Sequence, residues 1–156
     1  MEIPIRRAVI DDAPELAKLL RGIGWFESFR SRDLKDSVAQ VESRLRQCLA
    51  DSSHSVYVAE RPSGEIAGYA SVHWLPYLFM AGPEGYVSEL FLRDDARGHG
   101  LGRQLLDVIV AEARSRGCQR LSLINLRSRE SYQRQFYVKA GWLERSEAAN
   151  FVYTIP

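Results

Sequence analysis

Apolar positions recur along this chain with two periods, and the switches between them divide it into strands and helices. Residues 4–9 alternate as a strand. Asp11 or Asp12 then stands where a helix is capped, and Leu16, Leu19, Leu20 and Ile23 share one helical face until Gly22 and Gly24 break it. A second helix is predicted over residues 34–50, with Val38, Val41, Leu45, Cys48 and Leu49 at helical spacing, and the aromatic trio Trp25, Phe26 and Phe29 lies between the two. Residues 55–60 and 65–74 are β-rich and are separated by Arg61-Pro62-Ser63-Gly64, a composition that folds them into a hairpin. After a loop over 76–84 that holds Tyr77, Phe79 and Met80, residues 86–93 alternate again. A helix starts at Leu101, gathers Leu105, Val108, Ile109 and Ala113 on one side, and stops at Gly117. Residues 120–126 form a fifth strand, 130–140 a short helix ended by Gly141, and 142–146 and 150–155 two last strands. The expected architecture is α/β of the mixed α+β kind, one domain over 1–156 with a single mixed sheet of about seven strands and about four helices.

Bulk properties narrow the function. A length of 156 residues suits one domain with a core of its own. Acids and bases interleave to a net charge of +1, so neither a nucleic-acid groove nor an anionic membrane is the expected partner. No apolar run reaches the roughly 20 residues that span a bilayer, and the N-terminus opens on Glu2 and paired arginines, so a cytoplasmic location is expected. Cys48 and Cys118 lie far apart without metal or redox spacing, and His54, His73 and His99 match no zinc motif. No metal is expected.

The densest local signal is Arg97-Gly98-His99-Gly100-Leu101-Gly102, a glycine cluster feeding a helix from a strand. Helix N-termini present unpaired N–H groups and the positive end of the macrodipole, so such a junction suits a phosphate. The same glycines would also serve a tight turn with no ligand. Neither the P-loop pattern nor the Rossmann glycine spacing is matched, which disfavours ATP and NAD.

This segment resembles the signature of the GNAT superfamily of acyl-CoA N-acyltransferases, Q/R-x-x-G-x-G/A between a strand and a helix, through Arg97, Gly100 and Gly102. Glu89-Leu90-Phe91-Leu92 is similar to the family's fourth strand, and Phe136-Tyr137-Val138-Lys139-Ala140-Gly141-Trp142 to its FYEKxGF segment. The resemblance implies a GNAT fold with acetyl-CoA as co-substrate. It implies that backbone N–H groups from Gly98 through His99, Gly100, Leu101 and Gly102 to Arg103 cradle the pyrophosphate, framed by the Arg97 and Arg103 side chains. It further implies that the fourth strand, around Phe91, Leu92 and Arg93, splays from the fifth and offers backbone groups to the pantetheine arm.

Acetyl transfer to an amine needs an unprotonated nucleophile, a polarised thioester and a proton for the leaving thiolate. Tyr137 matches the family tyrosine that serves the sulfur; its alternative use is core packing. Glu89 is the candidate base, acting through water, or else a structural carboxylate paired with an arginine. Alternation turns Ser88 away from Glu89. The asparagine that commonly precedes the tyrosine and touches the CoA arm is Glu130 here, and Asn125 is a candidate for that contact or a strand-end cap. His73 either lines the acceptor cleft or packs at a strand end.

The expected activity is therefore transfer of acetyl from acetyl-CoA to a primary amine of a small molecule or peptide, by direct attack in a ternary complex. The contending reading is an acyl-CoA-binding sensor that performs no transfer. The C-terminal strands, with Phe151, Val152 and Tyr153, are suited to pairing across a homodimer.

Overall fold

The computed structural model describes residues 2–156, which fall into two units, the first ending at Ile124 and the second running Asn125–Pro156. The first holds one five-stranded sheet in the order β1 (Ile5–Arg7), β2 (His54–Glu60), β3 (Ile66–Leu75), β4 (Glu84–Leu92) and β5 (Arg120–Leu123). The first four pair antiparallel in sequence, and β5 lies parallel to β4. That parallel step needs a crossover, which the helix α4 (Leu101–Ser115) supplies.

Alternation along the strands sorts the two faces. Val56 and Val58 of β2 and Tyr69 of β3 join one cluster with Leu16, Leu19, Val41 and Leu45, so this face carries α1 (Ala13–Ile23) and α3 (Leu34–Cys48). Between them lies the single turn α2 (Glu27–Arg30), whose Phe29 is buried. Ser55 and Tyr57 point the opposite way, to Glu112 of α4. Leu105, Leu106 and Ile109 of α4 are 0–1% exposed, each contributing about 1.5–3 kcal/mol.

The helical signals for α1, α3 and α4 produce helices close to the expected bounds, with two local differences. Gly22 stays inside α1, and Gly24 alone ends it in the left-handed conformation, φ 74°. Asp12 does not cap α1 with its side chain: its carboxylate accepts from Arg6 at 2.7 and 2.8 Å and from the Val9 N–H at 2.8 Å. The ion pair with Arg6 holds the Asp12 carboxyl below its ordinary range against the opposing pull of burial.

The count of elements among the described residues departs from expectation, with five strands in place of about seven and six helices in place of about four. In the second unit the helix expected over 130–140 is two single turns, α5 (Glu130–Gln133) and α6 (Phe136–Lys139). Gln135 separates them with φ 56°, a conformation that no continuous helix admits. Residues 142–146 and 150–155 form no ladder, because a strand exists only with a partner edge and neither segment has one. Phe151, Val152 and Tyr153 are 80–90% exposed.

Candidate active site

Sequence chemistry converges first at the start of α4. Gly98 and Gly100 have φ values of 79° and 81°, in the left-handed region that glycine enters without strain, and nothing lies within 4 Å of the position a side chain would take at either. The backbone therefore borders open space. Gly100 is the N-cap, no side chain caps it, and no acid stands in the first turn. The first intrahelical bond runs from the Gln104 N–H to the Gly100 carbonyl at 3.1 Å, so the N–H groups of Leu101, Gly102 and Arg103 precede the helical ladder. Leu101 and Gly102 are buried, which anchors this turn to the core. The junction thus has the free donors, dipole and steric room that a pyrophosphate requires.

The flanking cations are held in place. Arg97 pairs with Asp94 at 3.0 Å and lies 5.9 Å from the Trp25 ring centre. Arg103 pairs with Asp107 at 2.9 Å. Arg93 is a structural tie: its Nε donates to the Ile66 carbonyl at 2.8 Å, and its guanidinium lies 3.4 Å from Glu65 and 3.5 Å from Glu15. His99 is exposed.

Along β4 the pairing changes character. The ladder with β5 runs from Glu84–Arg120 to Val87–Leu123 and stops there, so residues 88–92 keep β3 alone as strand neighbour among the described residues. Phe91 and Leu92 lie in this stretch, opposite Tyr69 and Gly68. On the β3 side, Val72 pairs with Val87 but Ser71 pairs with Glu89, which leaves Ser88 as the extra residue of a β-bulge.

The bulge corrects the expectation that Ser88 and Glu89 face opposite ways. Ser71 and His73 share a face of β3, Glu89 is opposite Ser71, and the Ser88 hydroxyl lies 2.9 Å from His73 Nε2. Both side chains are therefore on the α1/α3 face, since the inserted residue resets the alternation. Glu89 is exposed as a residue, yet its carboxyl reaches into dense surroundings, and burial pushes its pKa up while a hydrogen bond from Tyr69 works in the other direction. The Tyr69 phenol, deeply buried beside this carboxylate, is held far from ionisation. Among the described residues, no arginine partners Glu89 in a salt bridge, unlike the other recessed acids, Asp12, Glu84 and Glu112. Phe91 continues the face, with edge contacts to Trp25 at 5.8 Å and Phe26 at 5.5 Å.

Two expected site residues lie in the second unit. Tyr137 of α6 is half-buried between Phe136 at 4.9 Å and Trp142 at 6.1 Å, and burial raises its phenol to about 12, so it stays protonated as a donor must. The Asn125 carbonyl oxygen accepts from the Ser131 hydroxyl at 3.0 Å. Tyr69 and the His73–Ser88 contact were not singled out from sequence as parts of one site, because the register that joins them depends on the bulge.

Among the described residues, no group of three or more His, Cys, Asp and Glu is arranged to hold a metal, and no helix is long and apolar enough to cross a membrane.

The glycine-fed start of α4 and the part of β4 that has left β5 are the features of this unit that suit a phosphate-bearing ligand, and comparison with known proteins identifies the family. Residues 23–142 match the model of the acetyltransferase (GNAT) family, more than half of the chain, and the protein belongs to that family. It is 34% identical over 125 residues to the L-methionine sulfoximine/L-methionine sulfone acetyltransferase of Pseudomonas aeruginosa, covering 75% of this chain and 67% of that one. It is 31% identical over 122 residues to the aminoglycoside N(6')-acetyltransferase type 1 of Stenotrophomonas maltophilia, covering 76% and 72%. Its fold is similar to that of a transcriptional regulator from Bacillus halodurans, with a TM-score of 0.82 and 23% identity over 97% of this chain and 100% of that one. The protein is thus an acetyltransferase of a family whose acetyl donor is acetyl-CoA.

Proposed function

We propose that this protein, working as one catalytic domain in the cytoplasm, transfers acetyl from acetyl-CoA to the primary amine of a small, water-soluble acceptor by direct attack in a ternary complex. The observation that carries the reading is an uncapped, glycine-lined helix start together with a carboxylate, on the released part of β4, that has no salt-bridge partner among the described residues. The relatives named for methionine sulfoximine and aminoglycosides support a small acceptor over a peptide.

The N–H groups of residues 98–103 hold the pyrophosphate, with Arg97 and Arg103 beside it. The edge of β4 at Phe91, Leu92 and Arg93 receives the pantetheine arm, and Asn125 supplies an amide to it. Trp25, Phe26 and Phe91 form an aromatic wall for the acceptor, whose ammonium meets Glu89. Glu89 takes a proton from that ammonium through water, and its raised pKa brings it closer to the range where a base is both free and strong enough. Tyr137 gives its proton to the departing sulfur and recovers one from the amine nitrogen.

The test is thiol release from acetyl-CoA across a panel of amines that includes methionine sulfoximine, aminoglycosides, polyamines and a lysine peptide. Release that depends on a small amine and saturates with it is expected. Donor binding with no amine-dependent release would instead make the protein a sensor.

A further inference from the structure

Beyond Glu89, the α1/α3 face carries polar groups that the acetyl transfer above does not use. Two histidines sit in register on neighbouring strands, His54 of β2 opposite His73 of β3, with ring centres 4.3 Å apart. His73 Nε2 lies 2.9 Å from the Ser88 hydroxyl. His54 Nδ1 lies 2.7 Å from the Ser53 hydroxyl, which donates to Asp51 at 2.5 Å. Polar groups therefore run from the bulge of β4, across the end of the sheet, to the turn that follows α3.

The reaction makes a demand that Glu89 and Tyr137 do not meet. An ammonium carries three N–H protons. As the N–C bond forms and the C–S bond breaks, one stays on the amide nitrogen, one ends on the CoA sulfur and one is released. Tyr137 serves the sulfur and is restored, whereas Glu89 holds the released proton and must lose it before the next turnover. A hydrogen-bonded neighbour that accepts this proton gives it a directed route away from the acceptor.

We propose that Ser88 and His73 form that outlet: the Ser88 hydroxyl, turned by the bulge onto the face of Glu89, passes the proton to His73, and His54, with Asp51 behind it through Ser53, continues the row to the turn after α3. The inference rests on the reading of Glu89 as the group that deprotonates the acceptor. Serine suits the transfer because its hydroxyl accepts from one partner while donating to another. Burial pushes Glu89 up and His73 down from their ordinary values, which narrows the gap between donor and acceptor. The groups that face His73 are His54 from β2 and Tyr86 from β4, with ring centres 4.3 and 6.2 Å away, and the Ser88 hydroxyl at 2.9 Å; Cys48 at the end of α3 bears on Glu89 instead, and Asp51 reaches His54 only through Ser53. Of these His54 is the one that depresses His73 by its charge. His73 acts through Ser88, so it is a positioning and proton-carrying residue and not one that touches the acceptor.

The test uses His73→Gln, which can keep a hydrogen bond to Ser88 but cannot carry a proton, and Ser88→Ala, a substitution at an exposed position. Both are expected to lose about 10- to 100-fold in kcat near neutral pH with acetyl-CoA affinity unchanged. Imidazole added to the His73→Gln enzyme is expected to restore turnover in proportion to its concentration and to leave wild type unaffected. His54→Gln, which removes the charge that depresses His73, is expected to move the acidic limb of the rate profile to higher pH. Wild-type rates in His73→Gln and Ser88→Ala, or a loss that imidazole does not relieve, would overturn the outlet while leaving the acetyl transfer intact. If His73→Gln does not fold, Ser88→Ala decides alone. Absence of turnover by wild type with every amine would instead remove the reading beneath it, and the outlet with it.

Discussion

Replacing Gly100 with valine separates a glycine that cradles a ligand from one that only permits a turn. The residue has φ 81°, and a Cβ there meets no protein atom within 4 Å, so the cost to the fold is conformational and not steric. An L-residue in the left-handed region costs about 1–2 kcal/mol. For a chain of this size, with about 2–4 °C of melting temperature per kcal/mol, the expected loss is about 2–8 °C. Ligand affinity should fall by more than strain alone explains, because the added branch fills the open space before the first N–H groups of α4. Loss of one hydrogen bond to a charged phosphate is worth about 1.5–3 kcal/mol, which is about 10- to 150-fold in Kd. Gly64 supplies the control: it has φ 87°, an equally open Cβ position, and sits in the β2–β3 hairpin. Gly64→Val should show a similar melting loss with no change in acetyl-CoA affinity. Calorimetric titration and thermal melting of both variants give the four numbers needed. Equal affinity in the two variants would refute the cradle and leave the glycines at the start of α4 with a turn to make and nothing more.

Other outcomes follow from the same structure. Tyr137→Phe should lower kcat at least about 10-fold with the acetyl-CoA Kd unchanged, since only the departing sulfur loses its partner; unaltered kcat in steady-state thiol release would assign Tyr137 to packing. Glu112→Ala should destabilise the protein by about 3 kcal/mol in urea unfolding, because it strips a recessed carboxylate from Tyr57 at 2.7 Å, Ser55 and Arg116 at 2.9 Å, and Arg7 at 2.6 Å. These partners hold Glu112 below its ordinary value of 4.5, so its stabilisation is complete above that pH and is lost as pH falls through the lower folded value. The gap between wild type and Glu112→Ala should accordingly shrink on acidification; a gap that stays constant would show that packing and not charge is at stake. Glu89→Gln should abolish the acidic limb that Glu89 contributes and reduce kcat/KM about 100-fold, whereas a structural carboxylate would change melting and leave the limb in place.

The sequence carried the parts of the fold that depend on local pattern. The faces of α1, α3 and α4, the hairpin at Arg61-Pro62-Ser63-Gly64 and the glycine-fed start of α4 each follow from residues adjacent in the chain. What it did not carry was long-range. The bulge at Ser88 is a matter of which residue of β3 pairs with which of β4, and nothing in Val87-Ser88-Glu89 announces it. That single inserted residue turns Ser88 toward His73, so the polar row on this face was illegible. The helix expected over 130–140 failed at one residue, Gln135, whose positive φ has no sequence signal in a non-glycine side chain. The alternation in 142–146 and 150–155 reads as strand, but alternation states which faces a strand would present and not whether an edge exists to receive it. The Glu112 network escaped for the same reason, since its members come from β1, β2 and α4.

The central claim is tested most directly by incubating the protein with acetyl-CoA labelled in the acetyl group and a small amine that supports thiol release, then locating the label by mass spectrometry. The account predicts label in an amide of the amine, in amounts equal to the free CoA formed and only while protein is present. Label that remains on CoA, or appears as acetate without acetylated amine, would contradict it.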